Sequence, residues 1–241
     1  MSEISFKNYE LLARKSSAKN IEVAGRYGFQ KNAEKKIIND VKAKIDLNGN
    51  DSLLDIGCGP GNILIPLSKY CKNSTGIDNT GSISRLSMAD RDKRIQTIVG
   101  NFLELKLPKA SFSKIIIYSV IQYLENDDQV FEFINAALNL LSPGGRLLVG
   151  DLPNADKKMR FTNSSFGKKI SNEWAKSISI IPQSPSVNAL EDKKMVSIND
   201  SLILSLIKHG HKLGYETYLL PQPSTLPFGN TREDLLFISH K

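Results

Sequence analysis

Short apolar runs, separated by polar and glycine-containing stretches, recur through the middle of the chain. The runs Ser52–Ile56, Ser74–Asp78, Ile95–Val99, Lys114–Ser119 and Arg146–Gly150 each have the length of one β-strand. The fourth run is rich in isoleucine, which is typical of a strand buried on both faces of a sheet. The pattern therefore predicts five strands between residues 52 and 150.

Helical spacing appears between these strands. Gln129–Leu141 carries apolar residues three and four positions apart, and Ser142–Gly145 ends that pattern. Ile63–Cys71 has helical spacing as well. Strands that alternate with helices form parallel βαβ units. We therefore expect an α/β fold with a doubly wound, mostly parallel sheet and helices on both faces.

The first fifty residues lie outside this rhythm. Within them, Asn32–Ile45 has an apolar stripe that predicts an amphipathic helix covering the sheet or a ligand cleft. We expect residues 1–49 to form a helical cap and residues 50–241 to form the main domain. A polar insertion at about 151–199 contains Pro182 and Pro185, and it is predicted to be a lid or binding loop.

The end of the chain contains two more candidate strands. A helix is predicted near Ser201–His209, followed by strands at Glu216–Leu220 and Leu235–His240. The connection Pro221–Arg232 contains three prolines, which exclude regular structure there.

The most informative stretch is Asp55-Ile56-Gly57-Cys58-Gly59-Pro60-Gly61-Asn62, directly after the first strand. Glycines allow a tight turn and a close approach of the backbone to a ligand. The spacing differs from the G-x-G-x-x-G pattern of dinucleotide-binding loops. The Asp55 carboxylate would also repel a pyrophosphate, and it suits a cationic or hydroxylated ligand instead. This stretch therefore predicts a ligand-binding loop of a different kind.

A second carboxylate, Asp78, ends the next strand. A carboxylate at this position can accept hydrogen bonds from both hydroxyls of a ribose. The alternative is that Asp78 caps the helix that follows.

These residues resemble motif I (LLDIGCGPGN) and the acidic loop (GID) of class I S-adenosylmethionine-dependent methyltransferases. Gly100-Asn101-Phe102, Ile117–Leu124 and Leu140–Leu147 resemble further landmarks of that family, in the family's order. The resemblance covers about residues 50–152. It implies a Rossmann-like seven-stranded sheet of order 3-2-1-4-5-7-6 with an antiparallel last strand. It also implies S-adenosyl-L-methionine bound over the carboxyl ends of strands 1, 2 and 3.

The resemblance further implies a set of cofactor-binding residues. Asn101 replaces the family's usual aspartate, so its side-chain carbonyl would accept from the adenine amino group. Tyr27 would contact the methionine part of the cofactor, or else pack against the protein. The whole implied set is Tyr27, Asp55, Gly57, Cys58, Gly59, Gly61, Asp78, Asn79, Asn101, Phe102, Ser119 and Gln122.

Two residues are candidates for catalysis, with an alternative role for each. Asp151 follows the fifth strand and is a candidate general base, or else a turn residue. Tyr123 lies near the methyl group by family geometry and is otherwise a wall residue. Orienting the acceptor in line with the S–CH3 bond is the main task of the protein. Carboxylates are not clustered after strands four and five, so we expect no metal.

Net charge and cysteine content limit the partners. The chain has 32 basic and 25 acidic residues, a formal net charge of +7. This charge suits RNA or a phosphorylated substrate, but the lysines are scattered and an ordinary solvated surface is favoured.

No apolar run is long enough for a membrane span, and Met1–Glu10 is no signal segment. Two cysteines, Cys58 and Cys71, exclude a disulfide framework and favour a reducing cytoplasm.

The acceptor is less determined than the cofactor. The D/N-P-P-Y/F motif of amino-methyltransferases and a cysteine nucleophile after strand four are both missing from the sequence. The remaining hypotheses are methyl transfer to O or N of a small bacterial metabolite or glycan precursor, a tRNA or rRNA methyltransferase, and a cofactor-binding protein without turnover. Oligomeric state is left open. Met159–Trp174, Tyr123 and Pro221–Arg232 are predicted to share the acceptor pocket. The alternatives are a lid that packs its own aromatic residues on the sheet, for Met159–Trp174, and a proline-stiffened turn without a ligand role, for Pro221–Arg232.

Overall fold

One sheet organises the computed structural model, which describes residues 3–179 and 195–241. Within these residues, seven strands pair in the order β3-β2-β1-β4-β5-β7-β6. β7 runs in the direction opposite to the other six strands and is therefore antiparallel to both β5 and β6. The order and the antiparallel strand confirm the expected topology. The strands are β1 Ser52–Ile56, β2 Asn73–Asp78, β3 Ile95–Val99, β4 Phe112–Tyr118, β5 Leu141–Pro153, β6 Tyr215–Pro221 and β7 Arg232–Ser239.

Helices cover both faces of this sheet. The α-helices are α1 Glu3–Arg14, α2 Asn20–Val23, α3 Lys31–Ile45, α4 Leu64–Leu67, α5 Thr80–Ala89, α6 Asp127–Leu138, α7 Ala155–Asn163, α8 Ser165–Ser179 and α9 Asp200–Lys212. Single 3-10 turns lie at Gly28–Gln30, Ser68–Tyr70, Phe102–Glu104, Ile121–Tyr123 and Gly229–Thr231. No helix in the described part of the chain is long and apolar enough to cross a membrane.

Alternation along the central strands builds two separate cores. Ile115 and Ile117 of β4 pack with α6 and α9, whereas Ile116 between them packs with α3, α4 and α5. Neighbouring strands β1, β5 and β7 divide their side chains in the same way. Because both faces are covered, the strands read as continuous apolar runs in the sequence.

Most element bounds agree with the sequence pattern, and the differences have local causes. β5 begins at Leu141 instead of Arg146, because Leu141 already pairs with Phe112 of β4 before a bulge. The helix expected over Ile63–Cys71 is only α4 followed by a 3-10 turn. Pro66 lies inside α4 and lacks a backbone N–H, which limits how far a helix can extend.

The prediction of a loop over about 151–199 is wrong for its first part. Asn154 caps α7 by accepting from the backbone N–H groups of Asp156 and Lys157, and α8 follows directly. Pro182 and Pro185 lie outside the described residues.

An arginine fixes the N-terminal segment to the rest of the molecule. Arg85 of α5 donates to the backbone carbonyls of Ala13, Lys15 and Ala18, at distances of 2.5, 2.6 and 2.8 Å. Three carbonyls at the end of α1 and beyond it are satisfied in this way. Helix α1 therefore lies against α5 at the edge of the cleft described next. Treating residues 1–49 as a separate cap stays a prediction.

Candidate active site

A cleft of about 700 Å³, part of it open to solvent, lies at the carboxyl ends of the parallel strands. Its walls come from α1, residues 23–26, α3, the glycine-rich loop, and the ends of β2 and β4. This is where ligands bind in open α/β sheets.

The three glycines of the loop after β1 have different roles. Gly57, Gly59 and Gly61 all have positive φ angles, of 80°, 54° and 84°. A Cβ at Gly57 would lie 2.4 Å from Val120 Cγ2, and one at Gly61 would lie 2.8 Å from Ile65 Cδ1. A Cβ at Gly59 would meet nothing within 4 Å. Gly59 is therefore the glycine that faces open space, whereas the other two make room for side chains of the protein.

Asp78 is held rigidly at the carboxyl end of β2. Its Oδ2 accepts from the backbone N–H of Gly59 at 2.8 Å, and its Oδ1 accepts from the Asn79 side chain at 2.7 Å. Asn79 Oδ1 in turn accepts from the backbone N–H of Ser82 and caps α5. The helix cap is therefore Asn79, and the alternative role of Asp78 as cap is wrong.

Asp55 and Asp78 are buried together at the floor of the cleft. Burial raises the pKa of Asp55 well above the ordinary value of 3.8, and the charge of Asp78 raises it further. Burial also raises the pKa of Asp78, although the hydrogen bonds from Asn79, Gly59 and Ser82 act in the opposite direction. Two adjacent carboxylates with raised pKa values favour a ligand that brings hydroxyls or positive charge.

Asp55→Asn should stabilise the ligand-free protein more at about pH 7 than at about pH 4. In the unfolded chain this aspartate loses its proton near pH 3.8, whereas in the folded cleft it keeps the proton to much higher pH. In that window the unfolded chain binds fewer protons than the folded one, so stability falls as pH rises. Asparagine does not titrate, so the variant's advantage in melting temperature should grow with pH.

Thermal unfolding across this pH range checks the expectation. Glu132→Gln, an exposed position on α6, is the control for loss of a carboxylate without burial. An advantage of Asp55→Asn that is the same at both pH values would contradict the assigned cause.

A second, smaller cavity of about 290 Å³ adjoins the cleft and shares Gly57, Asp78 and Val120 with it. Asn101 and Phe102 line it, and the Phe102 and Phe133 ring centroids are 4.9 Å apart. Asn101 Nδ2 donates to Glu104, but Asn101 Oδ1 is buried without a partner among the described residues. The pocket therefore offers one free acceptor beside an aromatic wall.

Ser119 and Asp151 face each other across the ends of β4 and β5. Both have left-handed backbones, with φ of 61° and 59°, and the Ser119 hydroxyl donates to Asp151 Oδ2. Such conformations are rare for residues other than glycine and recur at functional sites. The backbone N–H of Asp151 donates to Asp234 Oδ1 at 2.8 Å. Asp234 also pairs with Lys44 at 2.6 Å, which fixes the turn.

Arg26 enters the cleft beside these two residues. Its Nη2 lies 2.7 Å from Ser119 Oγ and 2.7 Å from Asp151 Oδ2. The side chains of Arg26 and Asp151 are 6% and 1% exposed. Burial is the largest influence on the pKa of Arg26 and lowers it, but Asp151, Tyr118, Tyr123 and Glu34 together raise the pKa by more. The pair is therefore a buried ion pair.

Two tyrosines close the cleft on the side of α1. The Tyr9 hydroxyl donates to the Tyr123 hydroxyl at 2.6 Å, and their ring centroids are 5.0 Å apart. Burial raises the pKa of Tyr9 well above 10, so it stays protonated. Tyr123, predicted from sequence, therefore lines the cleft together with a residue that was not predicted.

Tyr27 is the predicted site residue that the structure places elsewhere. It lies in a cluster with Phe29 and Trp174, with ring centroids 5.5 and 5.6 Å away. Arg26 lines the cleft in its place. Neighbouring side chains on extended backbone point to opposite sides, so a buried Arg26 turns Tyr27 outward.

The remaining predicted residues lie in or beside the cleft. Cys58 and Ser119 line it directly. Gln122 sits in the 3-10 turn with Tyr123, and its Oε1 is buried without a partner among the described residues. No cluster of three or more metal-binding side chains occurs in residues 3–179 and 195–241.

Comparison with known proteins identifies the domain family of the central part of the chain. Residues 54–149 match a family model described as a methyltransferase domain. This segment is a methyltransferase domain. The match begins inside β1 and ends inside β5, so the methyltransferase domain contains the glycine-rich loop, Asp78 and Asn101.

This chain resembles parts of longer proteins. It is 30% identical over 129 residues to the 27-O-demethylrifamycin SV methyltransferase of Amycolatopsis mediterranei, covering 49% of this chain and 45% of that protein. It is 29% identical over 98 residues to the 23S rRNA (uracil(1939)-C(5))-methyltransferase RlmD of Legionella pneumophila, covering 36% and 22%. The chain spans less than half the length of the curated relatives it matches.

Solved structures share the whole architecture. The N-methyltransferase NodS from Bradyrhizobium japonicum, in complex with S-adenosyl-L-homocysteine, has a TM-score of 0.63 at 15% identity, covering 99% of this chain and 100% of that one. Phosphoethanolamine N-methyltransferase 1 of Haemonchus contortus has a TM-score of 0.69 at 15% identity, covering 99% and 49%. At these identities the likeness shows the fold.

Proposed function

We propose that this protein uses S-adenosyl-L-methionine to methylate an oxygen or nitrogen atom of a small molecule, such as a bacterial metabolite or a glycan precursor. The observation that carries the proposal is the open space at Gly59, next to a buried Asp78 in a methyltransferase domain. Two free cysteines, one of them buried, support the prediction of a reducing bacterial cytoplasm.

The residues present suit this cofactor. Asp78 would accept from the ribose hydroxyls while Gly59 and Asn79 hold it in place. The free Asn101 carbonyl would accept from the adenine amino group, with Phe102 against the ring. Asp55 would face the positively charged end of the cofactor, which would lower its raised pKa.

The acceptor half of the site is proposed to lie at Ser119, Tyr123 and Asp151. S-adenosyl-L-methionine bound in the cleft would supply an electrophilic methyl group, and these three residues would hold the acceptor atom in line with it. An O–H or N–H acceptor releases a proton during the transfer, and Asp151 is the proposed base. Asp151 Oδ1 has no hydrogen-bond partner among the described residues, so it is free to take that proton.

RNA is the second candidate acceptor. The formal net charge of +7 and the similarity to the rRNA methyltransferase RlmD favour it. The scattered distribution of lysines favours a small molecule instead.

Methyl transfer from labelled cofactor to fractionated cell extract tests the proposal. We expect label in a small-molecule fraction, unchanged by ribonuclease and absent when Gly59→Val replaces the wild type. Label lost after ribonuclease treatment would assign RNA as the acceptor. Cofactor binding without turnover in any fraction would support a binding protein without catalysis and contradict the proposed activity.

A further inference from the structure

A second arginine converges on the same carboxylate as Arg26. Arg232, the first residue of β7, has its Nε 3.8 Å from Asp151 Oδ1. Both guanidinium groups also lie over the ring of Phe228, at 5.7 Å for Arg26 and 5.2 Å for Arg232. We call Arg26 and Arg232 the arginine pair. They flank Asp151 from opposite ends of the chain.

Polar atoms of this cluster are buried and unsatisfied. Arg26 Nε and Arg232 Nη1 have no hydrogen-bond partner among the described residues, and neither has Asp151 Oδ1. Buried donors without a partner are uncommon in folded proteins, and each calls for a group that pairs with it. Here two donors and one acceptor without partners belong to three side chains that contact one another.

Two guanidinium groups pair directly with one carboxylate. Arg26 and Arg232 both lie against Asp151, and Glu34 is a further carboxylate whose charge acts on Arg26. The nearest other carboxylates on β7 are already engaged, since Asp234 pairs with Lys44 and Glu233 with Lys157. A guanidinium pair with free N–H donors is suited to a carboxylate or phosphate.

Aromatic rings continue outward from the arginine pair. The Phe228 and Trp174 ring centroids are 5.4 Å apart, and Trp174 contacts Tyr27 and Phe29. Phe29 is 48% exposed, so the cluster reaches the surface. This surface suits an apolar or planar body attached to the anion.

We propose that the methyl acceptor carries an anionic group, a carboxylate or phosphate, which binds between Arg26 and Arg232 while its apolar body lies against Phe228 and Trp174. This inference rests on the proposed function. The free Asp151 Oδ1 then lies next to the anion, where it can accept from a neighbouring hydroxyl or amine of the same acceptor. Arg232 is a specificity-determining residue in this arrangement.

Binding of simple probes tests the inference without knowledge of the acceptor. The protein is saturated with S-adenosyl-L-homocysteine and titrated with benzoate, phenyl phosphate and the neutral benzamide. We expect the wild type to bind one or both anions at least about tenfold more tightly than benzamide. Arg232→Gln should weaken anion binding by at least about tenfold, because it removes a charge and leaves Arg26 alone. Arg94→Gln, at an exposed arginine before β3 that pairs with Asp92, is the matched control and should change it less than about twofold.

The outcomes separate this inference from the proposed function. Equal binding of anions and benzamide, or equal losses in the two arginine variants, would overturn the anionic acceptor. A tRNA pool that displaces phenyl phosphate from the wild type but not from Arg232→Gln would assign the anion to RNA and overturn the small-molecule assignment. Loss of S-adenosyl-L-homocysteine binding in the wild type would instead contradict the proposed function. Affinity of Arg232→Gln for S-adenosyl-L-homocysteine should equal that of the wild type, which shows that the variant is folded.

Discussion

Gly59→Val is expected to abolish cofactor binding, with an affinity at least about 100-fold weaker, or about 2.7 kcal/mol. The Cβ of residue 59 would point into open space in the cleft, where the proposed cofactor lies. A branched side chain there fills that space. Its backbone, at φ 54°, also disfavours β-branched residues. Calorimetric titration with S-adenosyl-L-homocysteine measures the loss.

Gly214→Val separates the two causes. Gly214 also has a positive φ, of 85°, and a Cβ there also meets nothing within 4 Å. It precedes β6 at the edge of the sheet opposite the cleft. The control therefore carries similar backbone strain with no effect on the cleft, and it should retain affinity. Unchanged affinity in Gly59→Val would refute the assignment of the cleft to the cofactor.

Asp78→Ala should weaken cofactor binding by about 2–4 kcal/mol, or roughly 30- to 1,000-fold. Hydrogen bonds to a charged group contribute about 1.5–3 kcal/mol each and do not add fully. The variant also removes the acceptor for the Gly59 N–H, so the glycine-rich loop loses one of its anchors. Titration calorimetry gives the change directly, and less than a threefold effect would argue against ribose binding.

Two further variants are compared with Asp78→Ala: Asp90→Ala as a control outside the cleft and Asn101→Ala as a weaker proposed contact. Asp90 is buried and accepts from the backbone N–H of Ile95 at 3.0 Å, but it lies outside the cleft. Its loss should reduce stability and leave affinity unchanged. Asn101→Ala should cost about 1 kcal/mol, because a neutral contact is weaker than a charged one. A larger loss at Asn101 than at Asp78 would reverse the proposed ranking.

The strands and the cofactor side of the cleft could be predicted because local sequence determines them. β1 and β3 have the predicted bounds, since turn residues interrupt short apolar runs at both ends. Asp55, Gly59 and Asp78 lie within one βαβ unit, so their meeting in the cleft follows from strand order alone.

The acceptor side could not be predicted to the same extent, because distant residues build it. Arg26 meets Asp151 across 125 positions, and nothing in the local pattern marks Arg26 as buried. α7 has no buried residues, so its sequence has no apolar stripe from which a helix could be predicted. Tyr9 is different: Tyr9, Leu12 and Ala13 have helical spacing, and this signal in α1 could have been found.

The position of the connection before β7 could be predicted from the strand order. Because β7 is antiparallel to β5, it begins at the edge where the parallel strands end. The connection Pro221–Arg232 was predicted to lie beside the cleft, and Arg232 and Phe228 do contact the Asp151 and Arg26 pair. Their role in an acceptor pocket stays a prediction.

Under the proposed function, several acceptor contacts lie outside the segment that holds the cofactor contacts. The proposed cofactor contacts lie between residues 55 and 102, within the segment that matches the family model, and that match stops before Asp151. Arg26, Trp174, Phe228 and Arg232 all lie outside it. If the acceptor binds as proposed, substitutions at Trp174, Phe228 and Arg232, which do not line the cleft, would change acceptor choice and leave cofactor affinity unchanged. The start of β7 would then bring a variable acceptor contact to a conserved sheet position.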